Sequence, residues 1–173
     1  MGVAYDIYID FDGVVLDTIT LLEMLFVQYG VNVKNQEELI SFVSRVDWVE
    51  LIRRSEEIKG SLSFLRELRD HCRLQGAILT HVTSVGEAMA KRAYLKEMVP
   101  GLPVLTVDKR CAKSGIGLVP GVVLVDDYRP NLEDWVVHGG VGVKFTAKVK
   151  AGYPFPQVTS LDEVLTKELV LRR

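Results

Sequence analysis

The stretch Asp10-Phe11-Asp12-Gly13 constrains the fold of this chain more than any other. The residues before it, 3–9, are rich in β-branched and aromatic types and predict a strand. Asp10 and Asp12 then stand at its C-terminal end. Open α/β sheets bind ligands just outside the carboxyl ends of their strands. Two carboxylates one residue apart repel each other unless a cation sits beside them, so the pair invites Mg2+. Gly13 lets the chain turn sharply and brings backbone N–H groups close to an anion. Paired acids and a metal are the parts needed for covalent catalysis through an aspartyl-phosphate. Taken alone, Asp-x-Asp-Gly is equally an ordinary strand end and turn.

Three later segments add weight to the chemical reading. Gly76-Ala77-Ile78-Leu79 predicts a short buried strand that ends in Thr80-His81-Val82-Thr83-Ser84. A hydroxyl there, with the N–H groups of the following turn, suits a phosphate oxygen. Thr80 is assigned to the ligand, and Ser84 or Thr83 to the N-cap of a helix from Val85 to about Met98. His81 either faces the site or is a satisfied structural residue. A third strand over 103–107 leads into a stretch with two lysines, Lys109 and Lys113. A compact ammonium there would neutralise the paired acids and a phosphate together. The run Val122-Val123-Leu124-Val125 is wholly apolar, as in the middle of a parallel sheet, and ends in Asp126-Asp127. Consecutive carboxylates beside a buried strand are costly unless a cation or donors balance them.

Between the first two strands, apolar residues recur at helical spacing. One helix runs from a cap at Asp17 or Thr18 to Gly30, a second from Asn35 to about Val46, and a short third covers Trp48 to Ile52. Residues 18–58 therefore read as a small helical insertion, a cap able to lie over the acidic loop, with 1–17 and 59–173 forming the α/β core. Phe26, Tyr29 and Trp48 fit core packing, and Arg45, Arg53 and Arg54 fit a solvated helix face. Ser61 to Cys72 is an amphipathic helix with Phe64, Leu65 and Leu68 on its apolar stripe. After Asp127, Pro130 opens a helix closed by Gly139-Gly140; a strand over 141–145, a loop over 153–156 and a last helix from a capping box at Ser160 to Leu171 follow.

With 173 residues and 48% hydrophobic content the chain is long enough for one domain with a real core. A formal net charge of −2 gives no reason to expect a nucleic-acid polymer or an anionic membrane as partner. No apolar run spans a bilayer. The N-terminus runs straight into an acid-ended strand and does not read as a signal peptide. Cys72 and Cys111 lie far apart and fit buried or half-buried free thiols in a reducing cytoplasm.

Asp10-x-Asp12-Gly13, Thr80, a lysine and Asp126-Asp127, in this order and each at the end of an apolar strand, resemble the four motifs of the haloacid dehalogenase superfamily. The likeness covers nearly the whole chain. Leu105-Thr106-Val107-Asp108-Lys109 and Leu124-Val125-Asp126-Asp127-Tyr128-Arg129-Pro130-Asn131 are similar to the 5′-nucleotidase and 5′(3′)-deoxyribonucleotidase branch. The resemblance implies a doubly wound, Rossmann-like parallel sheet and a Mg2+-dependent phosphatase acting on a small phosphorylated metabolite, nucleoside monophosphates included. Asp10 would be the nucleophile and Asp12 the general acid and base. Thr80 would bind phosphoryl oxygens, with Phe11 and His81 contributing to the same anion site. Asp10, Asp12 (through its carbonyl), Asp126 and Asp127 would surround the metal. Lys109 matches the nucleotidase context, whereas Lys113 matches the spacing to Asp126 better. His81 departs from that branch, which usually has a small residue there. A cap this small fits an open site or one completed by a second subunit of a homodimer. A phosphoryl-accepting signalling domain and a non-catalytic binding protein on the same fold are the competing readings.

Overall fold

A computed structural model describes residues 5–117 and 120–166. Six parallel strands form one sheet in the order β3-β2-β1-β4-β5-β6. They are β1 (Ile7–Ile9), β2 (Gly76–Val82), β3 (Val104–Asp108), β4 (Val123–Asp126), β5 (Val141–Phe145) and β6 (Gln157–Val158). β1 lies between β2 and β4, with Ile9 opposite Ile78 on one side and Val125 on the other. That register puts Asp10 level with Asp126, one residue beyond Val125, and one residue short of Thr80, which follows Leu79 on β2. The central strands are buried on both faces, which is why they read as unbroken apolar runs.

Helices α1 (Thr18–Tyr29), α2 (Gln36–Val43) and α3 (Trp48–Arg54) are inserted between β1 and α4 (Ser61–Asp70). Asp17 caps α1 by accepting the Thr20 N–H, Asn35 caps α2 and Asp47 caps α3. Gly30 ends α1 in the left-handed conformation. The insertion leaves and rejoins the core at a narrow neck. There Asp17 N–H donates to the Glu56 carbonyl, and Ile58 N–H and Ser61 Oγ both donate to the Val15 carbonyl. α5 (Val85–Met98), α6 (Arg129–Val137) and α7 (Asp162–Thr166) complete the layers. One core joins the insertion, α4, α5 and one sheet face; a smaller one on the other face gathers around Trp135, whose Nε1 donates to the Val122 carbonyl.

Several expectations shift. β2 does not stop at Leu79 but runs through Thr80 and His81 to Val82, because β3 pairs with it that far. The helix expected to reach Cys72 ends at Asp70, and the second helix of the insertion ends at Val43. β6, too short to show a period, was absent from the sequence reading, as was a 3-10 turn over Lys113–Ile116. The expected extension of the last helix to Leu171 lies outside the described residues. Both cysteines are free, and both are exposed rather than buried. Among the described residues no helix is long and apolar enough to cross a membrane.

Candidate active site

The C-terminal ends of β1, β2 and β4 bring Asp10, Thr80 and Asp126 together, and the loops beyond them add Asp12 and Asp127. After Phe11 the chain winds tightly, with the N–H groups of Val14, Val15 and Leu16 converging on the Phe11 carbonyl. Gly13 holds φ at 72°, and a β-carbon there would fall 2.3 Å from Asp127 Oδ2. The two acidic loops can therefore meet only over a glycine.

Lys113 lies in the centre of the acids. Its Nζ is 2.8 Å from Asp10 Oδ1 and 2.7 Å from Asp126 Oδ2, and its side chain is fully buried. Asp126 is completed by donation from Asn131 Nδ2 and from the Tyr128 N–H. Burial opposes the charge on Lys113, but Asp10 and Asp126 outweigh it and hold the ammonium above the ordinary lysine range. One ammonium shared by two acids does not offset the burial of both. Burial pushes Asp10 up to about 6, against Lys113 and with help from Asp126 and Asp12. Burial, then Asp10 and Asp126, push Asp127 up to about 7, with Lys144 opposing. The Lys144 ammonium donates to the Asp127 backbone carbonyl.

Asp10, Asp126 and Asp127 each offer a carboxylate oxygen within 4.8 Å of the others. Hard oxygen donors with more negative charge than one buried ammonium balances fit Mg2+. The Asp12 carboxylate is not part of this set. Its Oδ1 accepts from Thr18 Oγ1 at 2.7 Å and its Oδ2 from Lys91 Nζ at 2.5 Å.

Lys91, on α5, was missed by the sequence reading. A Glu and a Lys four residues apart on a helix ordinarily mark a solvated face, yet Glu87 and Lys91 are both buried here. Lys91 Nζ also reaches Glu87 Oε1 at 2.7 Å, Thr80 Oγ1 at 3.2 Å and the His81 carbonyl at 3.0 Å. Burial works against its charge, but Asp12 and Glu87 more than compensate and raise it. The available signal was position: Lys91 neighbours Ala90 and lies four residues before Leu95, both on the packed face of α5.

The remaining candidates fall elsewhere. Lys109 does not reach the acids; its Nζ lies over the Tyr128 ring, 5.1 Å from the centroid. The Phe11 side chain points into the core against Tyr94, and its backbone N–H donates to Asp10 Oδ1. The His81 ring turns away from Thr80, with Nε2 2.9 Å from the Cys111 carbonyl. Burial, then Lys113 and Lys109, push His81 down to about 4, so it is neutral near pH 7. A carbonyl partner puts the proton on Nε2, and Nδ1 is buried without a hydrogen bond. His81 and Phe11 thus contribute backbone groups at this site. Arg53 pairs with Glu50 on the surface, while Arg45, just past α2, donates back to the Ser41 carbonyl in its last turn.

No protein-family model and no curated protein matches the sequence. Solved structures do match in fold. A haloacid dehalogenase-like family hydrolase from Xanthomonas campestris superposes with a TM-score of 0.60 over 96% of this chain and 96% of its own, at 14% identity. The fold is that of the haloacid dehalogenase-like hydrolases. A HAD-superfamily hydrolase from Ehrlichia chaffeensis gives a TM-score of 0.57 over 96% of this chain and 97% of its own, at 12% identity. D,D-heptose 1,7-bisphosphate phosphatase from B. bronchiseptica, solved with magnesium and phosphate, gives 0.54 over 93% of this chain and 98% of its own, at 14% identity. At such identities the likeness carries the fold. The chemistry must be argued from the site.

Proposed function

We propose that the protein is a Mg2+-dependent phosphomonoesterase that works through a phosphoryl-Asp10 intermediate. The observation that carries this reading is the placement of Lys113 between Asp10 and Asp126, at strand ends that also present Thr80 and Asp12. The ammonium holds Asp10 in place without taking both of its oxygens. An Asp10 carboxylate oxygen attacks phosphorus, and the bond from phosphorus to the leaving oxygen breaks. The electron pair goes to that oxygen, which takes a proton from Asp12 and departs as an alcohol. Asp12, now a carboxylate, removes a proton from water, and the resulting hydroxide attacks the same phosphorus. The bond to Asp10 breaks, giving inorganic phosphate, a free Asp10 carboxylate and a protonated Asp12. Thr80 Oγ1 serves the phosphoryl oxygens, since the N–H groups of Phe11 and of Gly13 to Leu16 are bonded to Asp10 and within the turn.

Asp10, Asp127 and the Asp12 carbonyl, with Asp126 close by, would hold Mg2+. Bound there, it would screen the repulsion between Asp10 and the incoming phosphate.

Beside Gly13 and Asp127 a cleft of 500 Å3 opens between the neck of the insertion and β5, with Ile19, Ile58 and Phe145 among its walls and Lys144 at its edge. It suits a small leaving group with an apolar part, and the three-helix insertion would act as its cap. A nucleoside monophosphate, the narrower reading from the nucleotidase-like motifs, would have to lodge its base in this cleft. Phosphate release from a panel of sugar, nucleoside and aryl phosphates, with and without Mg2+, tests the proposal. Metal-dependent release that Asp10→Asn abolishes is expected. Release that persists in that variant would refute it, and release only from deoxynucleotides would select the narrower branch.

A further inference from the structure

The carboxylate of Asp12 is gripped by a buried cation that belongs to none of the four motifs. Lys91 Nζ has three protons and meets four oxygens: Asp12 Oδ2, Glu87 Oε1, the His81 carbonyl and Thr80 Oγ1. The ring of Trp48, from α3 of the insertion, closes the remaining side at 4.7 Å from the ammonium. Glu87 is itself held, because its Oε2 accepts from the Thr83 N–H at 2.7 Å and from Thr83 Oγ1 at 2.8 Å. Lys91 is 0% exposed. A chain of fixed groups therefore runs from Thr83 through Glu87 and Lys91 to Asp12. Thr18, the first residue of α1, fixes the other Asp12 oxygen.

We propose that Lys91 is the positioning residue for Asp12, holding its carboxylate beside Thr80 where leaving group and water must exchange protons with it. The role of Asp12 in that statement rests on the phosphatase reading. Two physical points carry the inference. Asp12 is partly open to solvent, with 19% of its side chain exposed, so without Lys91 only the Thr18 and Thr80 hydroxyls would hold its carboxylate against turning toward water. A buried ammonium is also costly, and an apolar side chain of similar volume would fill the space more cheaply. Its charge is therefore directed at the two acids it joins, and of these only Asp12 borders Asp10's end of the sheet. Trp48 makes the grip depend on the seating of the insertion, since α3 packs on α5 at this point.

The test uses leaving groups. An alkoxide needs a proton as it departs, and p-nitrophenolate does not. In Lys91→Met, hydrolysis of ethyl phosphate should fall by about 100-fold, the scale of a lost general acid. First-turnover release of p-nitrophenol from p-nitrophenyl phosphate should fall by less than about 10-fold and show a burst equal to the enzyme, because the base step is slowed too. Equal falls on both substrates would mean a purely structural role and would overturn the proposal. Lys91→Met alone strands Glu87, so Lys91→Met/Glu87→Gln provides a charge-balanced second variant. Crystal structures of it and of the wild type give a readout that needs no turnover. Asp12 should leave Thr80 while Asp10, Lys113 and Asp126 keep their places; an unmoved Asp12 would overturn the role of Lys91. A wild-type protein that hydrolyses no phosphomonoester would instead refute the phosphatase reading, and the two structures would still decide what Lys91 does to Asp12.

Discussion

Gly13 shows how a single residue can decide whether this site forms. Its left-handed φ and the 2.3 Å approach of Asp127 both exclude a side chain. Gly13→Ala adds strain of about 1–2 kcal/mol in the left-handed region and pushes Asp127 away. We expect a lower thermal midpoint and a Mg2+ affinity reduced about tenfold or more, which corresponds to 1.4 kcal/mol or more. Unchanged metal affinity by calorimetry would contradict the close packing of the two loops. The residues whose neighbours are set by strand ends were legible in the sequence: Asp10, Thr80 and Asp126 meet because β1 pairs with β2 and β4 and all three stand at the carboxyl ends of their strands. Lys113 was legible only as one of two candidates, because a one-turn 3-10 segment leaves no periodic trace and spacing alone had to serve. Lys91 was not legible. Its partner Asp12 is 79 residues away, and its place beside Ala90 on the packed face of α5 shows that it is buried but not what it meets.

Among the elements, α5 carries the most consequence, because it delivers both Glu87 and Lys91. Ser84 caps it by accepting the Glu87 N–H at 3.1 Å. Ser84→Ala should cost about 1 kcal/mol and lower the thermal midpoint by roughly 2–4 °C, with a larger proportional loss of turnover because α5 frays at the end that holds Glu87. A midpoint shift without loss of turnover would separate the cap from the site. The boundaries of α1 and α5 could be read from their caps and periodic apolar residues. The full length of β2 could not, since Thr80 and His81 look like a polar loop until β3 is present to pair with them. The insertion was readable as three helices, but not its contacts with the site, because these are made by Thr18 with Asp12 and by Trp48 with a lysine on another element.

For the molecule as a whole, the site gathers carboxylates that the fold alone does not balance, and this should couple metal binding to pH. Asp10, at about 6, and Asp127, at about 7, keep protons to higher pH than ordinary aspartates. Those protons must leave before the oxygens can ligate a cation. Mg2+ affinity should therefore rise as pH climbs through this range and level off above it, by at least about tenfold between roughly pH 5.5 and 8 in calorimetric titrations. A flat profile would contradict the placement of the metal among these acids. Phosphoryl transfer by this site should pass through Asp10 itself. Acid-quenching the enzyme during turnover of a radiolabelled phosphomonoester, followed by peptide mapping, tests it most directly. Label is expected on the peptide carrying Asp10, more of it in Asp12→Ala with an aryl phosphate, and none in Asp10→Asn. Phosphate release with no labelled protein at any quench time, or label that survives Asp10→Asn, would contradict it.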